Sequence, residues 1–304
     1  MMDRIIAKSS GVVELFAPAK INLFLAVSGK RKDGYHEITT VLSKLSIGDS
    51  LKVIRKSHSS DITIKCPGFT ELENENNLVY KAATRWFHKS KEKWGVEIVV
   101  SKKIPPMSGL GGGSSDAIST LLGMNEIGDH RLSDHDMIEL ASSIGSDCPS
   151  FFYEGSCLAE GRGECLRGID QKASGEILGR KVFLFRPSIG LSTADSYSLL
   201  AKSKAYSSKL WATNQINAWE NNDLPIQELL HNDFEVPVFE KHRYFQPLFE
   251  RIENKFGLSS NLSGSGSCCF SFLPAEFNQL SDLRNEVYRA WGEEAWLQNT
   301  EIIA

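Results

Sequence analysis

The run PPMSGLGGGSS at residues 105–115 lies between a β-branched segment, VEIVV at 96–100, and an apolar helical pattern at Ile118, Leu121, Leu122 and Met124. Its chemistry is anion binding. Glycines reach φ > 0 and let the backbone close on a ligand, while the start of a helix offers unpaired N–H groups and a partial positive charge. A polyphosphate suits such a loop. A bare glycine run also describes a turn that merely packs helix against strand, and the twin serine at its end tilts the balance toward phosphate.

Better-known loops are excluded by register. G-x-G-x-x-G read from Gly109 and Gly111 meets Ser114 where the third glycine belongs, so this is not a dinucleotide fingerprint. A Walker A loop needs Gly-Lys-Ser/Thr at its end, and a serine-nucleophile elbow read from Gly112 through Ser114 ends on Asp116. Three other places carry reactive side chains. Lys20 and Asn22 share one face of an alternating strand, FAPAKINLFLAV at 16–27, either as solvated edge residues or as part of a covered site. Tyr35 and His36 sit in the turn-rich loop SGKRKDGYHE, and Asp147 precedes Pro149 in SDCPSFF, where by itself it reads as a turn or capping residue. Cys148 has no histidine beside it in sequence and reads as a buried, inert thiol.

The elements that position these residues follow from periodicity. Strands are expected at Ile38–Leu45, Ser50–Arg55, Asp61–Cys66 and Val96–Val100. A helix begins near Asn76 and ends at Gly95. Ser114 or Ser115 caps the helix after the glycine run, with Asp116 in its first turn, and a further helix runs from a Ser133 cap to Gly145. Beyond Gly155 strands are expected at 156–159 and 181–185, helices near Ser196, Pro225, Tyr244 and Glu276, and a small-residue patch at LSGSGS. Intermixed strands and helices define an α/β and α+β mixed class, with a division into residues 1–155 and 156–304 and a last strand that returns to the N-terminal domain.

Composition bounds the function. The 304 residues carry 34 basic and 38 acidic side chains, a formal charge of −4, so anion binding must be local rather than a property of the global field. A hydrophobic share of 41% and a charged share of 24% are globular values, which exclude a disordered tail or a supercharged nucleic-acid binder. Glu14, Lys20 and Asn22 interrupt the most apolar N-terminal stretch, and Asp3 and Glu14 argue against a transit peptide, so cytoplasm is the expected location. The six cysteines contain no C-x-x-C pair and read as reduced thiols.

Together these residues form a pattern. P-x-x-x-GLGGGSSDA at 105–117, APAKINLFL at 17–25 and LSGSGSCCF at 262–270 resemble, in order, the three motifs of the GHMP kinase superfamily. DGYHE at 33–37, IGSDCPSFF at 144–152, AEGRGE at 159–164 and NDFE at 232–235 are similar to the branch whose acceptor is CDP-methylerythritol, and the likeness spans nearly the whole chain. The resemblance implies a ribosomal S5 domain 2-like N-terminal domain, a ferredoxin-like C-terminal domain, and ATP-dependent phosphorylation of a C2 hydroxyl in the methylerythritol phosphate route to isoprenoids. It implies Asp147 as the base and Lys20 as the active-site cation. Asn22 would hold a substrate hydroxyl, Tyr35 would stack on cytosine, and His36 would bond the base edge. Tyr197 would be a second stacking aromatic, with Thr193 in the same pocket. ATP would lie along Pro105, Pro106, Met107, Ser108, Gly109, Leu110, Gly111, Gly112, Gly113, Ser114 and Ser115, with Mg2+ touching Ser115 or Ser114. Gly264, Ser265 and Gly266 would support the loop or approach the substrate phosphates. Lys102 and Lys103 would lend local positive charge, and Arg162 reads either as a turn residue or as a phosphate contact. The expected partner is the small-molecule substrate, with no nucleic acid or membrane, in a monomer or weak homodimer. A mevalonate- or homoserine-type kinase and a catalytically silent nucleotide-binding relative remain the alternatives.

Overall fold

The computed structural model describes residues 4–304; Asp3, cited above, lies outside the described residues. The chain forms two compact units that exchange segments. One holds the chain up to Ala19 with Ile47–Pro105 and Gly111–Glu154, and the other holds Lys20–Ser46, Pro106–Leu110 and Gly155–Ala304.

The first unit is a sheet covered by helices. Its strand order is β1-β2-β3-β5-β4, from β1 (Ile5–Ser9), the first part of β2 (Val12–Lys30), the last part of β3 (His36–Lys56), β4 (Ile62–Lys65) and β5 (Gly95–Ser101). β3 runs antiparallel to β5 with Val53 opposite Ile98, and β4 runs parallel to β5. The strands expected separately at 38–45 and 50–55 are one strand. Gly48 makes this work, because a Cβ there would lie 2.4 Å from the Ala17 carbonyl oxygen, so a side chain would push β2 away. β2 is buried almost throughout, Lys20 and Asn22 included, which decides for the covered reading.

Helices α1 (Leu78–Ser90), α2 (Gly112–Ile127) and α3 (Asp134–Ile144) pack on that sheet, with Trp86, Leu121 and Met124 among Val13, Leu15, Val53 and Ile98. α1 is capped by Asn77 and ends on Lys91 at φ +62°, while Gly95 opens β5 instead of ending the helix. Ser133 caps α3 and Gly145 ends it, as the pattern predicts. α2 departs from expectation: it starts at Gly112 with Gly111 as its N-cap at φ +70°, so Ser114 and Ser115 lie inside the first turn and Asp116 beyond it. A serine cap would need the glycine run to stay extended; the left-handed residue at 111 turns the chain into the helix earlier.

In the second unit, β6 (Cys157–Gly161) and β7 (Cys165–Gly168) form a hairpin whose first strand pairs with β3 from Ile38 to Leu42. After α4 (Gln171–Ile177) come β8 (Lys181–Arg186), α5 (Thr193–Ser203), α6 (Lys209–Glu220), α7 (Ile226–Leu229), β9 (His231–Asn232), α8 (Glu235–Lys241) and α9 (Gln246–Phe256). β10 (Asn261–Leu262), β11 (Cys269–Leu273), α10 (Leu280–Trp291) and β12 (Trp296–Glu301) complete it. β10-β11-β8-β12 is an antiparallel sheet whose Phe183, Phe185 and Leu297 share a core with Leu248, Ile252, Leu283 and Val287. The last strand pairs with β8, and Ile302 just beyond it bridges antiparallel to Leu45 of β3, with Ile303 N donating to Lys44 O at 3.0 Å.

Candidate active site

In the second unit, Lys20 Nζ donates to Asn22 Oδ1 at 2.6 Å, Asn22 Nδ2 donates to Thr40 Oγ1 at 2.8 Å, and Thr40 Oγ1 donates to the Phe24 carbonyl at 2.6 Å. The i, i+2 spacing on a strand puts both side chains on one face, and the chain of bonds fixes the ammonium. Lys20 N also donates to Leu110 O at 2.9 Å, which ties β2 to the glycine-rich segment. Gly264 stands against this group: a Cβ there would be 3.2 Å from Lys20 Nζ, Asn22 Oδ1 and Gly109 O alike. Any side chain at 264 would crowd the lysine.

The segment 106–110 and the LSGSGS loop are locked together. Ser263 Oγ donates to Gly109 O at 3.2 Å and Cys268 N donates to Ser108 O at 2.9 Å. At Gly109, φ is +78° and a Cβ would sit 2.1 Å from Ser263 O, so only glycine fits. NDFE supplies the clamp that sequence reasoning missed. Asn232 Nδ2 donates to both Leu262 O (2.7 Å) and Gly264 O (2.8 Å), and Leu262 N donates to Glu235 Oε1 at 2.7 Å. Thr193 Oγ1 and Ser265 Oγ are 3.0 Å apart, so those two expected residues do come together.

His36 and Tyr197 also meet, with ring centroids 4.6 Å apart and 24° between planes, and Phe234 packs edge-on against Tyr197. His36 Nε2 is buried with no protein partner, and burial followed by the Lys30 charge lowers the pKa of the ring. A neutral imidazole with an unmatched nitrogen results. Tyr35 is apart from this pair: it is 52% exposed, and the Arg162 guanidinium lies 4.7 Å from its ring centroid. Arg162 is set by a tight turn in which Gly161 and Gly163 have positive φ and Glu164 accepts from Arg162 N. Its guanidinium thus covers one face of Tyr35.

In the first unit, Ser115 N donates to Gly111 O at 2.9 Å, and Ser115 Oγ is buried without a partner in the first turn of α2. Asp147 precedes a short 3-10 segment, Cys148–Phe152, and its carbonyl accepts from Ser150 N (3.2 Å) and Ser150 Oγ (2.6 Å). The Cys148 thiol hydrogen-bonds Ser114, so the Asp147 loop is pinned to the first turn of α2. Burial pushes that thiol up to about 12, as an inert cysteine requires. Among the described residues no group of three His, Cys, Asp or Glu side chains converges as a metal site, and no helix is long and apolar enough to cross a membrane.

Lys102 corrects an expectation. It is buried between Asp49 and Asp116, with Nζ 2.7 Å from Asp116 Oδ2, so it adds no net positive charge to the loop; Lys103 is exposed. Asp49 Oδ1 also accepts from Lys103 N and Ile104 N, anchoring the chain just before the glycine run. Gly112 leaves room for the ammonium, since a Cβ there would be 3.3 Å from Nζ. Burial raises the Asp116 pKa from 3.8 to about 7, only partly countered by Lys102, and Asp116 Oδ1 has no partner. Between those two values the folded protein holds a proton that the unfolded chain has released, so this carboxyl lowers stability as pH rises through that window. Asp116→Asn should therefore lose less stability between pH 5 and pH 8 than the parent, by at least about 1 kcal/mol. Thermal melts at both pH values check this, and equal losses would return the carboxyl to its ordinary range.

The comparisons with known proteins agree with this geometry. Residues 77–155 match the family model for the GHMP kinases N terminal domain, and residues 215–296 match that for GHMP kinases C terminal. The fold is that of a GHMP-type small-molecule kinase. The chain is 36% identical over 258 residues to the 4-diphosphocytidyl-2-C-methyl-D-erythritol kinase of Clostridium novyi (strain NT), covering 84% of this chain and 89% of that one. It is 33% identical over 298 residues to the kinase of the same name from Methylacidiphilum infernorum (isolate V4), covering 97% and 98%. A crystal structure of 4-(cytidine 5'-diphospho)-2C-methyl-D-erythritol kinase matches with a TM-score of 0.73 at 29% identity, over 95% of this chain and 99% of that chain. The chain belongs to the 4-diphosphocytidyl-2-C-methyl-D-erythritol kinase family.

Proposed function

We propose that the protein transfers the γ-phosphoryl group of ATP to the C2 hydroxyl of 4-diphosphocytidyl-2-C-methyl-D-erythritol, giving the 2-phosphate and ADP. The observation that carries the substrate is the buried His36 Nε2, stacked beside Tyr197 and unmatched by any protein atom. A cytosine edge supplies the missing partner; mevalonate and homoserine have no base to offer it. Tyr35 stacks on the cytosine with the face that Arg162 leaves open, and Thr193, Gly264 and Ser265 flank the substrate.

In this transfer positioning and charge stabilisation do most of the work. Backbone N–H groups within 109–114 hold the ATP phosphates, aided by the α2 dipole, the Ser115 N–H being taken by the Gly111 carbonyl. Asp147 takes the proton of the attacking hydroxyl as the new O–P bond forms. The Lys20 ammonium, aimed by Asn22, stabilises the charge that develops on the transferred group. The buried, unpartnered Ser115 Oγ suits a hard cation: it would hold Mg2+, which when bound neutralises phosphate charge. The end of the first family match at residue 155 supports a division of the sequence into 1–155 and 156–304. Six free cysteines agree with action in the cytoplasm; the acting form we propose is a monomer or weak homodimer.

A coupled ADP-release assay with Mg·ATP tests the reading. Saturable turnover with CDP-methylerythritol, inhibited competitively by cytidine diphosphate, is the expected result. ADP release with mevalonate or homoserine and indifference to cytidine nucleotides would point to another acceptor. Confirmed ATP binding with no turnover on any acceptor would point to a silent relative.

A further inference from the structure

Arg186 closes β8, where the strand gives way to the 187–191 loop. Its Nε donates to Ser267 Oγ at 3.1 Å, and Ser267 Oγ donates in turn to Ile189 O at 2.6 Å, so the guanidinium is fixed between two loops. Among the described residues no carboxylate pairs with it. The one titratable group that favours its charge is the Cys268 thiol, which burial pushes up to about 12 and so leaves neutral near pH 7. Arg186 is half-buried, and burial lowers its pKa. A guanidinium has five N–H donors, and a desolvated cation without a counter-charge is costly. A purely structural side chain here would serve better without the charge.

The glycine-rich segment reaches the same spot. A Cβ on Gly190 would lie 2.9 Å from Met107 Cβ and 3.2 Å from Arg186 Nη2, and Leu191 N donates to Met107 O. Met107, Gly109, Gly264 and Gly266 all have positive φ, the backbone habit of loops that form anion-binding concavities.

We propose that Arg186 is a phosphate-contact residue: its guanidinium supplies the counter-charge for a phosphate group lying along residues 107–109. That group is carried either by ATP or by the diphosphate of the cytidine substrate. The inference rests on the reading of the glycine-rich segment as a phosphate loop, and it adds a cation that neither the sequence motifs nor the Lys20–Asp147 assignment contain.

Calorimetric titration of the full chain with inorganic tripolyphosphate, and separately with cytidine diphosphate, tests it on Arg186→Met, Arg186→Lys and Arg186→Gln. Arg186→Met should weaken binding of at least one probe about tenfold or more, with Arg186→Lys in between. A loss confined to tripolyphosphate identifies the ATP phosphates, one confined to cytidine diphosphate identifies the substrate, and a loss in both identifies a group that each presents. Arg186→Gln keeps a donor for Ser267 Oγ, so it separates loss of charge from loss of folding, which melting curves monitor. Both dissociation constants within about threefold of the parent in Met and Gln variants would overturn the proposal, as would failure of the parent to bind either probe at millimolar concentration. Failure of the kinase reading has a different signature, absence of ADP release with CDP-methylerythritol, and leaves the titrations able to decide.

Discussion

Asp147→Asn should lower kcat by about 10²- to 10⁴-fold, the range of a positioned general base, while KM for CDP-methylerythritol moves by no more than about threefold. The structure makes this a clean test. The backbone at 147 is held by Ser150 and by Pro149 at the start of the 3-10 segment, and the next residue is pinned to Ser114. None of those contacts needs a charged carboxylate at 147, so they persist in the amide variant. Steady-state kinetics with both substrates varied provide the check. A kcat within a few-fold of the parent would remove Asp147 from the proton transfer.

The second large effect is expected for Lys20→Met, a loss of about 10²-fold or more in kcat with little change in melting temperature. A buried ammonium is costly to desolvate, and methionine fills similar volume without that cost. The backbone bond from residue 20 to Leu110 persists, and Asn22 keeps Thr40. Lys20→Arg should not rescue activity, because Gly264 packs closely against the ammonium and the wider guanidinium has no room. If Lys20 and Asp147 act on one transition state, the double variant should be little worse than the poorer single variant. Full additivity would assign them to separate steps.

Much of the site was legible because its signals are local. The alternation that puts Lys20 beside Asn22 and the Ser133 cap each lie within a few residues, and each has its expected form in the structure. What escaped depends on distant partners. Asn232 grips carbonyls 30 and 32 residues away, and nothing in NDFE announces where its amide points. Lys102 looks like a solvated lysine until the fold brings Asp49 and Asp116 to it. The strands expected separately at 38–45 and 50–55 are one, because the missing side chain at Gly48 lets a single long strand pass beside another. The start of α2 was misread for a related reason: a left-handed Gly111 turns the chain before any serine can cap it.

The distribution of thiols has a practical side. Of six cysteines only Cys165 is exposed, on the hairpin whose turn carries Arg162, whereas Cys66, Cys148, Cys157, Cys268 and Cys269 are buried. Burial also raises Cys66, Cys148, Cys268 and Cys269 in pKa, which suppresses the reactive thiolate. The native chain thus comes with a single addressable handle, so a fluorophore or spin label attached there would report on the Arg162 turn and the Tyr35 ring it covers without prior removal of other sulfhydryls.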